Sequence, residues 1–205
     1  MKNIKLGILF IAFLLSNVSH AGSQREEPLG NSVKAMMQKS ISDLASPKLM
    51  FASQFEGQAW MVDMSERLKK RLPDQSYREE FLRSVHYEAT RAGLDPQLVM
   101  GLIQVESAFK KYAVSSVGAR GYMQVMPFWV KSIGSPDQNL FHLRLNLRYG
   151  CTILRHYLNI ERGDLYRALG RYNGSLGKPQ YPNLVVGAWK RNWQYPILKQ
   201  SIIRQ

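Results

Sequence analysis

Glu106 is an acid set among apolar residues. It follows Val99 by seven positions, Leu102 by four and Ile103 by three. Those offsets share one face of a helix. The stretch from Pro96 to about Phe109 carries helix signals, with Asp95 as N-cap and proline at the first helical position. A carboxyl on the buried stripe of such a helix is desolvated. It also lies near the C-terminal end, where the helix dipole disfavours an anion. Both effects raise its pKa. A carboxyl kept protonated near neutrality in a dry pocket is a general acid; the alternative is a structural glutamate bonded to loop backbone. The other eight acidic residues from Asp74 onward sit among polar or charged neighbours or at helix starts.

Downstream residues offer groups that could hold a ligand. Gly118 and Gly121 let a loop adopt positive φ or lie close to a ligand. Gln124 brings a donor and an acceptor, suited to a sugar N-acetyl or hydroxyl group, or equally to pinning a loop. Met123 and Met126 are pliable apolar surface, more often core than subsite. Tyr172 ends a helix before the Asn173-Gly174 turn. Its hydroxyl either reaches Glu106 or a substrate, or is satisfied inside the core.

Helices must position these groups. Apolar residues recur at helical spacing from Asn31 (Val33, Met36, Met37, Ile41, Leu44) and again over about 50–72. Proline closes each stretch, at Pro47 and Pro73. Phe51, Phe55, Trp60 and Met61 in the second stretch face either the main domain or a partner protein. Further helices are predicted over 77–92, 96–109, 122–133, 139–161 and 164–172. Residues 22–30 read as a flexible lead. No stretch alternates as strands do, so the class is all-α.

Three blocks carry a resemblance. They are Glu106-Ser107-Ala108-Phe109, then Gly118-Ala119-Arg120-Gly121-Tyr122-Met123-Gln124-Val125-Met126-Pro127, then Ala168-Leu169-Gly170-Arg171-Tyr172-Asn173-Gly174. In order and spacing they resemble the catalytic core of soluble-lytic-transglycosylase-type enzymes, a family with a goose-lysozyme-like fold. The resemblance covers roughly residues 80–190. It implies a lysozyme-like catalytic domain over 74–205, preceded by a helical extension over 22–73. It implies that Glu106 is the acid and then the base, and that Ser115, Gln124, Met126, Tyr172 and Asn173 line the sugar site. Tyr181 and Val185 match the family's last motif and are expected to close the cleft. Lys110-Lys111, Tyr122 and Gly170-Arg171 depart from the usual pattern without removing a group the chemistry needs.

Hydrolytic glycosidases normally use two carboxyls, but no acid lies between Glu106 and Gln124. The family's reaction has less need of a second one. The expected cut is at the β-1,4 bond between N-acetylmuramic acid and N-acetylglucosamine, with the muramoyl C6 hydroxyl as nucleophile and a 1,6-anhydro product. Two alternatives remain: a lysozyme-type hydrolase, and a non-catalytic murein-binding assembly protein.

Composition narrows the setting. With 205 residues, 45% hydrophobic and 21% charged, the chain is neither disordered nor a multi-span membrane protein. One cysteine, Cys151, excludes an internal disulfide framework and a cysteine-rich metal site. His86, His142 and His156 lack ligand spacing, and neither metal nor cofactor is expected. Lys2 and Lys5, the apolar run from Leu6 to Leu15, and Ser19-His20-Ala21 read as an export signal spanning residues 1–21. The run is too short to span a bilayer, so no stable membrane anchor is expected. The net charge of +13 becomes +11 without Lys2 and Lys5. For a protein exported to the periplasm or cell envelope, that balance fits anionic peptidoglycan strands better than nucleic acid. Arg144, Arg148, Arg155 and Arg162 recur at helical spacing, as a murein-contacting or merely solvated basic face. A protein partner in the envelope could engage residues 31–72.

Overall fold

The apolar stripes resolve as eight α-helices among the residues described by a computed structural model, 24–43 and 45–195. The expected export signal lies outside them. The helices are α1 (Asn31–Ile41), α2 (Gln54–Leu68), α3 (Gln75–Arg91), α4 (Pro96–Ser107), α5 (Phe128–Ile133), α6 (Leu143–Ile160), α7 (Leu165–Tyr172) and α8 (Gln180–Ala188). A π-helical turn, Trp189–Trp193, continues α8. No strand occurs among the described residues, only isolated bridges pairing Arg120 with Val114 and Val125. The class is all-α, and none of these helices is long and apolar enough to cross a membrane.

Four helices start on side-chain caps. Ser53, Asp74, Asp95 and Asp164 accept from the amides of Glu56, Tyr77, Gln97 and Arg167, which satisfies donors that a helix start leaves open. Helix α5 is shorter than the spacing predicts. Residue Gln124 takes φ 48° and the Val125 and Arg120 backbones bond to each other, so 122–127 is loop rather than helix.

One buried cluster joins all eight helices. Met37 and Ile41 of α1, and Trp60, Met64 and Leu68 of α2, belong to it. Trp60 is fully buried and packs against Phe51 and His86, whereas Phe55 is 73% exposed. The 50–72 stretch therefore faces both inward and outward. His86 stacks on Phe51, and burial lowers its pKa to about 4, so it is neutral core. Cys151 is buried core as well.

Glu88 stands among charged neighbours, as expected, but not in solvent: it is fully buried on α3. Arg148 of α6 and Arg91 hold it at 3.1 and 2.8 Å. Arg148 also donates to the Ile41 carbonyl, bolting α1, α3 and α6 together. Nor is the arginine series on α6 a free basic face. Arg155 donates to the carbonyls of Ala92 and Gly93, and Arg144 to that of Ala45. Three of the four cations are spent on internal contacts.

Helix α4 runs through the core and packs on α8 and the π-helical turn. Their approach is close at Gly101, where a Cβ would stand 2.8 Å from the Trp189 backbone nitrogen. Gln104, one turn further on, accepts from Trp193 Nε1 at 2.8 Å and Asn192 Nδ2 at 3.0 Å. This contact fixes where α8 presents its side chains to α4. Gly101→Ala is expected to cost about 1–3 kcal/mol by overpacking, despite the better helix propensity of alanine. Urea unfolding measures it, and an unchanged or raised midpoint contradicts the packing described.

Candidate active site

Glu106 lies in the last turn of α4 and is 5% exposed. The helix stops just after it because Ala108 and Phe109 turn left-handed, at φ 49° and 65°. Phe109 is buried against Phe81 and Trp193, which offsets that backbone strain. Oε1 of Glu106 accepts a hydrogen bond from the Tyr181 hydroxyl on α8. Oε2 is buried with no hydrogen-bond partner among the described residues. Burial pushes the pKa of Glu106 up to about 8, with the Tyr181 bond pulling more weakly the other way. Its proton is thus retained near neutrality. The two buried glutamates differ in kind: Glu88 sits between two guanidinium groups, and Glu106 has one neutral hydroxyl.

The 107–126 segment is locked against α4 and α6. Ser107 Oγ donates to the carbonyls of Ile103 (3.2 Å) and Tyr122 (2.8 Å), tying the helix end to the loop. Asn146 of α6 donates to Arg120 and Leu140 carbonyls and accepts from the Met123 amide at 2.8 Å. Gly121 sits at φ 74°, and a Cβ there would stand 2.5 Å from Asn146 Nδ2. The loop therefore needs glycine for its own fold. Tyr122 keeps its polar tip satisfied through Tyr77, hydroxyl to hydroxyl at 2.8 Å, which explains how tyrosine fits at a buried position.

The other residues singled out from sequence divide between framework and site. Gln124 is 1% exposed and its Nε2 donates to the carbonyls of Ala113 (3.1 Å) and Gly121 (3.0 Å). That nitrogen pins the loop. Ser115 Oγ accepts from the Ala119 amide at 3.1 Å, also within the loop. The Tyr172 hydroxyl donates to the Met123 carbonyl at 2.7 Å, not to Glu106. Burial, and after it the charge of Glu106, raises its pKa far above the usual value. Asn173 is buried; Nδ2 donates to Ser175 Oγ, and Oδ1 has no partner among the described residues. Met126 is half-buried. Tyr181 does more than border the site, since it holds the acid. Val185 is buried in the core.

Two contributors were not singled out beforehand, Asn146 and Gln24, and Ser107 was noted only as part of its four-residue block. Asn146 had a signal, because it lies three residues after Leu143 on a leucine-rich stripe, the same anomaly that marks Glu106. Gln24 had none. It stands in the lead expected to be flexible, yet it is 4% exposed. Its Nε2 donates to the Gln124 carbonyl at 3.2 Å, and its Oε1 accepts from the Met126 amide (3.2 Å) and Trp129 Nε1 (3.1 Å).

Five of the other eight carboxylates from Asp74 onward are engaged elsewhere. Asp74, Asp95 and Asp164 cap helices, Glu88 is paired, and Glu161 pairs with Arg167 and Arg171. No cluster of three or more metal-ligating side chains occurs among the described residues.

Residues 83–184 match the transglycosylase SLT domain. The chain is 38% identical over 107 residues to a protein of Enterobacteria phage PRD1 named transglycosylase, covering 52% of this chain and 37% of that one. It is 35% identical over 100 residues to the membrane-bound lytic murein transglycosylase C of Haemophilus ducreyi, covering 45% and 24%. Over 48 residues it is 48% identical to the protein of the same name in Actinobacillus pleuropneumoniae serotype 5b, covering 23% and 13%. The chain thus spans well under half the length of these relatives.

The buried acid has a thermodynamic signature. Its folded pKa, about 8, exceeds its ordinary 4.5, so the folded state holds the proton longer than the unfolded state. This contribution to stability is fully present below pH 4.5 and lost as pH rises to about 8. Glu106→Gln lacks that loss. Relative to the parent, the variant is expected to gain up to about 1.4 kcal/mol per pH unit across the window. Urea unfolding at a series of pH values reads the slope; a pH-independent difference contradicts a buried, protonated carboxyl.

Proposed function

Over residues 83–184 this chain belongs to the transglycosylase SLT family, and on that premise we propose that it cleaves peptidoglycan as a lytic transglycosylase. The observation that carries the proposal is the Glu106 carboxyl, protonated by burial, with Oε2 unpartnered. Glu106 gives its proton to the oxygen of the β-1,4 bond between N-acetylmuramic acid and N-acetylglucosamine. The bond to C1 breaks and the N-acetylglucosamine end leaves as an alcohol. The muramoyl acetamido oxygen shares the positive charge at C1. Glu106, now a carboxylate accepting from Tyr181, takes the proton of the C6 hydroxyl as that oxygen bonds to C1. The product is a 1,6-anhydro end, no water is consumed, and the acid is regenerated. Having the nucleophile on the same sugar supplies the proximity that a positioned water would otherwise need.

Several features support this over a hydrolase or a non-catalytic binder. Hydrolysis by a second carboxylate needs one beside the acid; five of the domain's other carboxylates have other partners, and no carboxylate among the described residues is a cause of the Glu106 shift. A binder has no use for an acid kept costly and uncharged in the core. Ser115, Gln124, Met126, Tyr172 and Asn173 are the proposed sugar-site residues, with Asn173 Oδ1 as the group left without a partner among the described residues. Tyr181 is a positioning residue for Glu106. The proposed setting is the envelope of a bacterium after export, with residues 22–73 as the domain's N-terminal extension and Phe55 and Val62 as its exposed apolar groups toward a protein partner.

Mass analysis of digested peptidoglycan tests the reaction. Muropeptides one water lighter than hydrolysis products are expected; hydrated reducing ends indicate a hydrolase, and uncut glycan a binder. Glu106→Gln is expected to lower release by about 10²–10⁴-fold, the usual worth of a general acid. Activity should also fall as pH rises through about 8, where the acid loses its proton. Release that keeps rising above that pH, or survives in Glu106→Gln, places the acid elsewhere.

A further inference from the structure

The socket around Gln24 has the chemistry of an amide-recognition site. It offers one acceptor, the Gln124 carbonyl, and two donors, the Met126 amide and the Trp129 indole N–H. A carboxamide fills it through its NH₂ and its oxygen. An acetamido group, CH₃–CO–NH–, presents the same donor and acceptor. The socket is built from the 124–126 backbone, in the loop bolted to the end of α4 that carries Glu106. Gln24 is buried there even though its neighbours Arg25, Glu26 and Glu27 are exposed.

Glu27 marks a second point of contact. Its carboxylate pairs with Arg171 of α7 at 3.2 Å. Arg25, Glu27 and Arg171, with Tyr157, Ser175 and Lys178, border a cavity of about 360 Å³. It lies beside the turn that follows Tyr172 and Asn173. Arg171 is shared between Glu161 and Glu27, which leaves Arg25 and Lys178 as the cations that would draw an anionic ligand to this cavity. The segment thus presents an amide and a carboxylate, the two polar groups that an N-acetylated, carboxylate-bearing glycan also carries.

From this geometry we infer that residues 24–27 form an intramolecular strap that occupies the acetamido socket in the resting chain, and that peptidoglycan must displace it to bind. The inference rests on the proposed reading of the site as a glycan site. The strap lowers the apparent affinity by the fraction of molecules in which the socket is uncovered. Its contacts are few: one buried carboxamide and one ion pair whose glutamate is half exposed. It is therefore displaceable rather than a permanent plug.

Chitotetraose, a neutral oligomer of N-acetylglucosamine, is the probe. Binding is measured calorimetrically for the parent chain and for Gln24→Ala, which removes the carboxamide and leaves every residue assigned to the site intact. Gln24→Ala is expected to bind at least about fivefold tighter, because the socket is open from the start. Equal or weaker binding overturns the inference, as does the absence of binding by both chains. A second measurement needs no variant. Saturating chitotetraose is expected to raise hydrogen exchange at residues 24–29 of the parent chain while lowering it at 121–126. Unchanged or slower exchange at 24–29 means that the segment is structural and overturns the strap. Neither readout depends on turnover, so a chain that releases hydrated muropeptides removes the proposed reaction without deciding these results.

Discussion

A carboxyl buried without a counter-charge gives up its own charge, and the rest of this domain is arranged around that constraint. The chain carries 28 lysines and arginines, yet none among the described residues contributes to the shift at Glu106, which burial dominates. Basic groups that enter the interior go to other acids or to carbonyls: Arg148 and Arg91 to Glu88, Arg155 to the end of α3. Had one of them reached Glu106, the carboxyl would be an ion-paired anion and no proton donor. The neutral Tyr181 hydroxyl is a compatible partner. It bonds to the acid's carbonyl oxygen before proton transfer and to a carboxylate after it.

Keeping one oxygen of Glu106 free of protein donors demands a rigid surround, because a loose one would let a flexible side-chain donor reach it. Rigidity comes from polar side chains that bond to backbone. Ser107 and Asn146 hold the loop, Gln104 holds the π-helical turn, and Tyr172 fixes Met123. Several residues that look ligand-directed by type thus act on the framework. Gln124 is the clearest case: its Nε2 is committed to the loop, while its backbone carbonyl faces the socket that Gln24 fills.

Glu106 was legible in the sequence because helical periodicity turns a single misplaced acid into a statement about burial. The same logic would have found Asn146, an amide on a leucine stripe, and failed for Glu88. There the local residues look polar and the burial comes from α1 and α6, elements distant in the chain. Tyr181 as the partner of Glu106 could not be read from spacing, since the pairing depends on how closely α8 approaches Gly101. The helix over 122–133 was overestimated because a left-handed Gln124 leaves no periodic trace. The arginines of α6 do have helical spacing, but spacing does not say whether a guanidinium ends in solvent or on a neighbouring carbonyl.

The protonation state of Glu106 itself is the most direct test. Carbon-13 NMR of the chain labelled at glutamate side-chain carbonyls, with Glu106→Gln to assign the resonance, follows this one carboxyl through a pH titration. A midpoint near 8 is predicted, well above the other glutamates. A midpoint close to 4.5 would mean that the carboxyl is already ionised at neutral pH and would contradict its role as the acid.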